Sequence, residues 1–174
     1  MSTNTDFTML PGLSTQFTLR LIEVIPSHLE INWSVVLPEI LDKSMRLAAN
    51  MDSVAALHIL QRHTSLSQRE QSVLCNIDRV CRLFCLDKVC RRLIEFTLLM
   101  SSNEGVKSFV TSIEHSQSYL HLLRIWSRLF NCSSQQLFDA LSNLDELGLI
   151  QSGEIESLSS VSYTHLTLPT IYSV

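Results

Sequence analysis

Cysteine is the residue type whose spacing in this chain comes closest to a chemical site. Four of the five cysteines fall within sixteen residues, and a helix would place Cys81 and Cys85, four positions apart, on one face. Structural zinc sites typically combine paired C-x₂₋₄-C knuckles or a histidine pair, and no histidine lies inside this group. Because free cysteine packs in cores as a small apolar residue, we expect core packing, with metal or redox chemistry as the alternative. The five are Cys75, Cys81, Cys85, Cys90 and Cys132.

Other catalytic and nucleotide-binding patterns do not occur in the sequence. The six histidines are dispersed, without an H-E-x-x-H motif, and there is no G-x-S-x-G motif. The adjacent carboxylates Asp145 and Glu146 would point apart at a helix end. Residues 105–108 contain a Lys-Ser pair but lack the upstream glycine and the Gly-Lys adjacency of a Walker A loop. We therefore expect no catalytic, cofactor-binding or metal-binding residue, and no enzyme activity from the chain as it stands.

The composition predicts a helical protein that does not cross a membrane. Of 174 residues, 45% are hydrophobic and 17% are charged, the latter below the usual ~25%. Gly and Pro number 4 each, too few for a turn-rich all-β fold. No run of ~18 uncharged apolar residues occurs, and residues 1–8 lack the basic start of a signal peptide. An odd cysteine count suits a reducing compartment, so we expect a cytoplasmic location.

The first third of the chain divides into an arm and a helical segment. Residues 1–16 open with Ser, Thr and Asn and predict a flexible arm. Residues 17–64 predict an N-terminal helical segment, although residues 17–25 alone fit either a short helix or a strand. Pro38 suits the first turn of a helix, where its missing N–H has no partner to lose. That helix would continue through Met45 and Ala48, and another would cover residues 52–62.

Residues 65–156 predict a helical domain with clear start signals. Ser67 and Glu70 fit an S-x-x-E capping box, and Asp87 fits the N-cap of the next helix. Behind them, apolar residues recur at three- and four-residue steps, which indicates buried stripes on amphipathic helices. The stripes are Leu74, Ile77, Cys81 and Phe84, then Val89, Leu93, Phe96 and Met100, and, after a break at 101–105, Val106, Phe109, Val110 and Ile113.

Residues 118–153 follow the layout of a winged helix-turn-helix. A turn at Asn131 and an S-x-x-Q box at Ser133 separate two helices, and Gly148 would end the second in the left-handed conformation before a short β wing. The predicted fold class is mainly α, a helical bundle that ends in this winged-helix-like unit; an ordinary helical hairpin is the alternative. The two apolar stripes are Tyr119, Leu122, Leu123, Trp126 and Phe130, and Leu137, Phe138, Leu141 and Leu144.

The charge distribution argues against nucleic acid as the partner. The net charge is −4, and no Lys or Arg occurs from Asn131 to the end, where a recognition helix would need them. The basic residues around the Asp87 start alternate with acidic ones, a pattern typical of a solvated helix face. We predict a protein-interaction face from the remaining polar candidates, which are Arg79, Arg82, Arg91, Arg92, Gln135, Gln136 and Asn143.

From residue 67 to 153 the chain resembles the helical, winged-helix-like region that precedes the motor in a group of bacterial AAA family ATPases. The resemblance rests on the S-x-x-E start, the Leu86-Asp87 break, residues 122–129, the cap and helix from Ser133, and the L-G-L-I sequence at 147–150. It implies a non-catalytic interaction region, with ATP and Mg²⁺ bound only downstream of this chain. Its partners would be other proteins or the ATPase core, in a parent that could form a homo-oligomeric ring. A winged-helix transcription regulator and a free-standing helical adaptor are the alternatives.

The last fifteen residues, 160–174, differ sharply in composition from the acidic stretch before them. They carry no Asp, Glu, Lys or Arg and resemble a tail found on unrelated reading frames, where translated sequencing-adapter DNA is joined to a gene. The alternation of Thr164, Leu166 and Leu168 would fit a strand instead. We expect a non-native tail, and a natural protein that continues past Ser160 into a region this sequence lacks.

Overall fold

The computed structural model of the protein describes residues 10–25, 30–41 and 51–151, and α-helices account for most of them. No strand is present within these three ranges, so the mainly α class is confirmed there. The predicted β wing would follow Gly148, and most of it falls beyond residue 151, outside the described part of the chain. The helices are α1 (Pro11–Val24), α2 (Trp33–Ile40), α3 (Ser53–Arg62), α4 (Gln68–Leu83), α5 (Lys88–Ser102), α6 (Glu104–Ser116), α7 (Tyr119–Phe130) and α8 (Ser134–Glu146).

Side-chain caps start the helices where the sequence predicts them. Ser67 and Ser133 form complete capping boxes with Glu70 and Gln136, and the Asp87 carboxylate accepts from the Cys90 amide at 2.8 Å. Each cap satisfies a backbone N–H that has no partner inside its own helix. These local signals therefore fix the starts of α4, α5 and α8.

The flexible arm predicted for residues 1–16 is wrong over its described part. Helix α1 begins at Pro11, and Leu13, Ser14 and Thr15 are buried. Gly12 allows this packing, because a Cβ atom there would lie 2.5 Å from the Ser65 carbonyl oxygen. The choice left open for residues 17–25 is settled as helix through Val24. Residues 1–9 lie outside the described part of the chain.

Pro38 lies in the last turn of α2, so its predicted place in a first turn is wrong. A proline inside a helix removes one backbone hydrogen bond. Burial of Trp33, Leu37 and Ile40 offsets that loss, and the Trp33 ring packs on Phe109 of α6 with centroids 5.6 Å apart. The predicted continuation through Met45 and Ala48 falls outside the described residues.

Helix α5 occupies the centre of the bundle and contacts α1, α4, α6, α7 and α8. Its predicted stripe is confirmed, since Val89, Leu93, Phe96 and Met100 are all buried. The Phe96 ring lies 5.5 to 5.8 Å from three other aromatic rings, those of Phe17, Trp126 and Phe130. One hydrophobic core includes residues from each helix of the described ranges, and so joins the predicted 17–64 and 65–156 segments.

Two predicted stripe residues lie outside the core because they occupy helix ends. Phe84 is 40% exposed; it is the C-cap of α4, and Cys85 behind it turns into the left-handed conformation. Tyr119, the first residue of α7, is 46% exposed. The remaining stripe residues are buried or half-buried, and the four predicted for α6 are all buried.

Helices α7 and α8 form the predicted pair with a tight turn between them. Asn131 has a positive φ, and the Cys132 amide donates to the Ser127 carbonyl at 2.9 Å. Gly148 ends α8 at φ 65 as predicted, in a Schellman motif closed by the Leu149 amide on the Leu144 carbonyl. Within the described residues, no helix is long and apolar enough to span a bilayer.

Candidate functional site

A cleft of about 610 Å³ opens between α1, α4, α5 and α7, with arginines prominent among its polar lining residues. We call it the arginine cleft. Four helices that are distant in sequence contribute to it. Its lining residues are Leu13, Gln16, Phe17, Arg20, Leu74, Ile77, Arg91, Arg92, Glu95, Phe96, Leu98, Leu99, Arg128, Leu129, Phe130 and Asn131.

The apolar lining of the arginine cleft is the edge of the hydrophobic core. Phe17, Phe96 and Phe130 belong both to the cleft lining and to the aromatic cluster around α5. Each is at most 8% exposed, so packing holds these rings in place. Apolar groups entering the cleft would meet a preformed surface.

The charged residues of the lining are four arginines and one carboxylate, Glu95. Arg91 is held by two acidic groups: its Nε lies 2.6 Å from the Asp78 carboxylate, and its Nη1 contacts Glu95. Burial raises the pKa of Glu95 above its usual value, while Arg91 and Arg20 oppose that rise. Arg91 is therefore largely neutralised inside the protein.

The other three arginines differ in how far the protein already engages them. Arg92 donates from Nη1 to the Phe130 carbonyl, which ties α5 to the end of α7. Arg20 is exposed on α1 and interacts electrostatically with Glu95. Arg128 is exposed on α7, and its guanidinium has no hydrogen-bond or ion-pair partner among the described residues. Arg20 and Arg128 are thus the groups best placed to receive an anion.

The interaction face predicted from sequence is only partly brought together. Arg91 and Arg92 line the arginine cleft, whereas Arg79 and Arg82 are exposed on α4 outside its lining. The candidates on α8 have local roles or neighbours: Gln135 donates to Asp139 at 2.8 Å, Gln136 completes the capping box, and Asn143 lies near the Cys90 thiol. Sequence reasoning missed Arg20, the one basic residue of α1, and Arg128, which shares α7 with Arg124, because neither belongs to a motif.

The cysteines divide into core and surface groups. Cys81 and Cys90 are buried as predicted, and burial raises the pKa of both thiols, that of Cys90 to about 11. Cys75 and Cys85 are exposed, so core packing is wrong for these two, and Cys132 is half-buried. In the described ranges, no three His, Cys, Asp or Glu side chains are grouped so that they could hold a metal ion.

Fold and cleft together define a mainly α protein with an arginine-lined cleft at the edge of its core. Comparison with family models, curated proteins and solved structures finds no match for the chain. The resemblance to the region before an AAA motor therefore stays a prediction. What can be argued about function comes from the cleft itself.

Proposed function

We propose that the chain is a non-catalytic protein-interaction module and that the arginine cleft is its binding site. The observation that carries the proposal is an open cleft that combines a fixed apolar lining with two guanidinium groups available to a ligand. Protein interfaces favour this combination, because apolar and aromatic groups supply area while Arg supplies directed hydrogen bonds.

The side chains of the arginine cleft suit binding better than catalysis. A guanidinium stays protonated at neutral pH and so cannot act as a general base. Glu95, the carboxylate of the lining, is already engaged by Arg91. A proton-transfer role would require that ion pair to open first.

A site-specific cross-linker tests the proposal directly. A benzophenone amino acid replaces Gln16, a half-buried residue of the cleft lining, and the matched control replaces Arg69, which is exposed on α4 outside the lining. We expect irradiated cells to yield discrete protein adducts from position 16 and none of these from position 69. Identical adduct patterns from both positions, or no protein adduct from position 16, would contradict a binding role for the cleft.

The proposal extends to the predicted context, in which this module precedes an AAA motor. ATP and Mg²⁺ would then bind outside this chain, and the cleft would receive either another protein or the motor core. The reading frame downstream of the Ser160 codon tests this extension. A G-x-x-x-x-G-K-[ST] sequence there supports it, whereas a stop codon close to that position rejects it in favour of a free-standing adaptor.

The helix–turn–helix of α7 and α8 keeps DNA regulation as the second candidate. Its exposed α8 side chains include Gln135 and Asn143 but no Lys or Arg, and α8 ends in Asp145 and Glu146. Titration with random duplex DNA at decreasing salt concentration distinguishes a DNA-binding regulator from a protein-interaction module. Binding that strengthens steeply as salt falls would support the regulator; no binding at low salt removes it.

A further inference from the structure

We infer that the arginine cleft takes an acidic, amphipathic protein segment, in which carboxylates flank a large apolar side chain. This inference rests on the proposed function and names the chemistry of the partner. Carboxylates would pair with Arg20 and Arg128, and the apolar side chain would pack on the half-buried Leu74 and Leu98 at the edge of the core.

The net positive charge of the cleft is the first observation in favour of an acidic partner. The chain carries −4 overall, yet four of its thirteen basic residues line the cleft with one acidic residue. Including Asp78, which neutralises Arg91 from the edge, the cleft still holds two more positive than negative charges. A carboxylate-rich segment is attracted to this region although the molecule as a whole repels it.

Carboxylate fits the available donors better than phosphate does. Arg91 and Arg92 are already bound within the protein, so only Arg20 and Arg128 remain for a ligand. Two separate guanidiniums can each hold one carboxylate by paired hydrogen bonds. A phosphate dianion carries the same two negative charges as a pair of carboxylates, but on a single compact group, whereas two carboxylates can each face one of the two guanidiniums.

The apolar lining is the second argument. Nine of the sixteen lining residues are Leu, Ile or Phe, so a purely polar ligand would leave the apolar part of the lining unused. The volume of about 610 Å³ lies within the ~300–1,000 Å³ of typical ligand pockets. Amphipathic helices present apolar anchors at i and i+4 to grooves of this kind, with charged residues on either side.

Fluorescence anisotropy with two labelled helical peptides tests the inference on the full chain. Both peptides carry Leu and Phe at i and i+4; one has flanking glutamates and the other has lysines at the same positions. We expect the glutamate peptide to bind and the lysine peptide to bind at least about tenfold more weakly. The affinity should fall as salt is added, because the charged contacts lie at the exposed edge.

Charge reversal locates the site. Arg128→Glu and Arg20→Glu should each weaken the glutamate peptide by about tenfold or more and strengthen the lysine peptide. The control Arg69→Glu makes the same change in net charge outside the cleft and should shift either affinity by less than about twofold. Circular dichroism establishes that each variant keeps its helical fold.

Three results would overturn the inference. They are equal binding of both peptides, no effect of Arg128→Glu beyond that of Arg69→Glu, and displacement of the glutamate peptide by millimolar inorganic phosphate, which would indicate a small-anion site. Cross-linking at position 16 distinguishes failure of this inference from failure of the proposed function. Protein adducts there with no preference for the glutamate peptide reject the acidic partner and leave the interaction module standing.

Discussion

Glu70 joins two helix starts that are far apart in the sequence. Its carboxylate accepts from the Ser67 amide at 2.8 Å within the capping box, and from the Leu13 amide at 2.9 Å in the first turn of α1. Leu10, the N-cap of α1, has an apolar side chain that cannot accept a hydrogen bond from the first amides of the helix. Burial raises the pKa of Glu70, but the hydrogen bonds from Leu13, Ser67 and Gly12 outweigh it and hold the pKa below its usual 4.5.

Glu70→Gln should therefore destabilise the protein in a pH-dependent way. Loss of hydrogen bonds to a buried charged acceptor costs about 1.5–3 kcal/mol, which we expect at pH 7. A carboxyl with a lowered folded-state pKa contributes stability above its unfolded pKa and loses it as pH falls through the folded pKa. The difference in free energy of unfolding between wild type and Glu70→Gln should therefore narrow below about pH 4.5.

Urea denaturation at a series of pH values measures the effect. Glu23→Gln, at an exposed position on α1, is the control and should change stability by less than about 0.5 kcal/mol. A loss for Glu70→Gln that stays constant from pH 7 to well below pH 4.5 would show that the ionised carboxylate is not what stabilises these helix starts.

Trp126 anchors α7 in the aromatic cluster. It is 3% exposed, and its ring lies 5.8 Å from Phe96 and 6.5 Å from Phe130. Trp126→Ala should reduce the free energy of unfolding by about 3–5 kcal/mol, because it removes apolar area and leaves a cavity. Leu120→Ala on the same helix, at a site 68% exposed, should cost less than about 0.5 kcal/mol in the same denaturation experiment. A loss below about 1 kcal/mol for Trp126→Ala would remove its anchoring role.

At the scale of elements, the crossing of α2 and α6 depends on a glycine. A Cβ atom on Gly105 would lie 2.4 to 2.6 Å from backbone atoms of Glu39 and Ile40. Asn103 reinforces the crossing: its Nδ2 donates to the Ile40 carbonyl and its Oδ1 accepts from the Val106 amide. Backbone atoms cannot rotate away as side chains can, so a larger residue would push the helices apart.

Gly105→Ala should destabilise the protein, although alanine is the better helix former by about 1 kcal/mol. Overpacking costs about 1–3 kcal/mol, and an approach of 2.4 Å to fixed backbone belongs at the upper end of that range, so after the gain in helix propensity we expect a net loss of about 1–2 kcal/mol. Ser108→Ala, an exposed site on α6, should be neutral or slightly stabilising. Thermal unfolding of the three proteins gives the comparison, and equal or higher stability of Gly105→Ala would disprove the close approach.

Elements whose start and stop signals are local could be predicted from sequence, and those completed by distant residues could not. The caps at Ser67, Asp87 and Ser133 and the end at Gly148 depend on neighbours within a few residues. Helix α1 depends instead on Glu70, 57 positions beyond Leu13. Taken without its distant partner, the polar start of α1, with its Pro and Gly, therefore predicts a flexible arm.

For the same reason, only two of the four arginines in the cleft could be predicted from the sequence. Arg91 and Arg92 belong to a recognisable basic run, and both line it. Arg20 and Arg128 are separated by more than one hundred residues and meet at one cleft because α1 and α7 pack on each other and on α5. Periodicity identifies the buried face of each helix but not which helices share an edge.

At the scale of the whole molecule, one core crosses the boundary predicted between residues 64 and 65. Core members from α1, α2 and α3 pack in the same cluster as those from α4 to α8. One tryptophan lies on each side of that boundary. Trp33 of α2 packs on Phe109, and Trp126 of α7 packs on Phe96. Elements that share one core are expected to unfold together.

Single-tryptophan variants test this cooperativity. In Trp126→Phe the fluorescence reports only on Trp33 of α2, and in Trp33→Phe only on Trp126 of α7. For each variant we expect the urea transition seen by fluorescence to coincide with the one seen by far-UV circular dichroism, as in two-state unfolding. In Trp126→Phe, a Trp33 transition at lower urea than the loss of helical signal would show that residues up to 64 unfold separately. The boundary at 64 would then divide two folding units, despite the shared core.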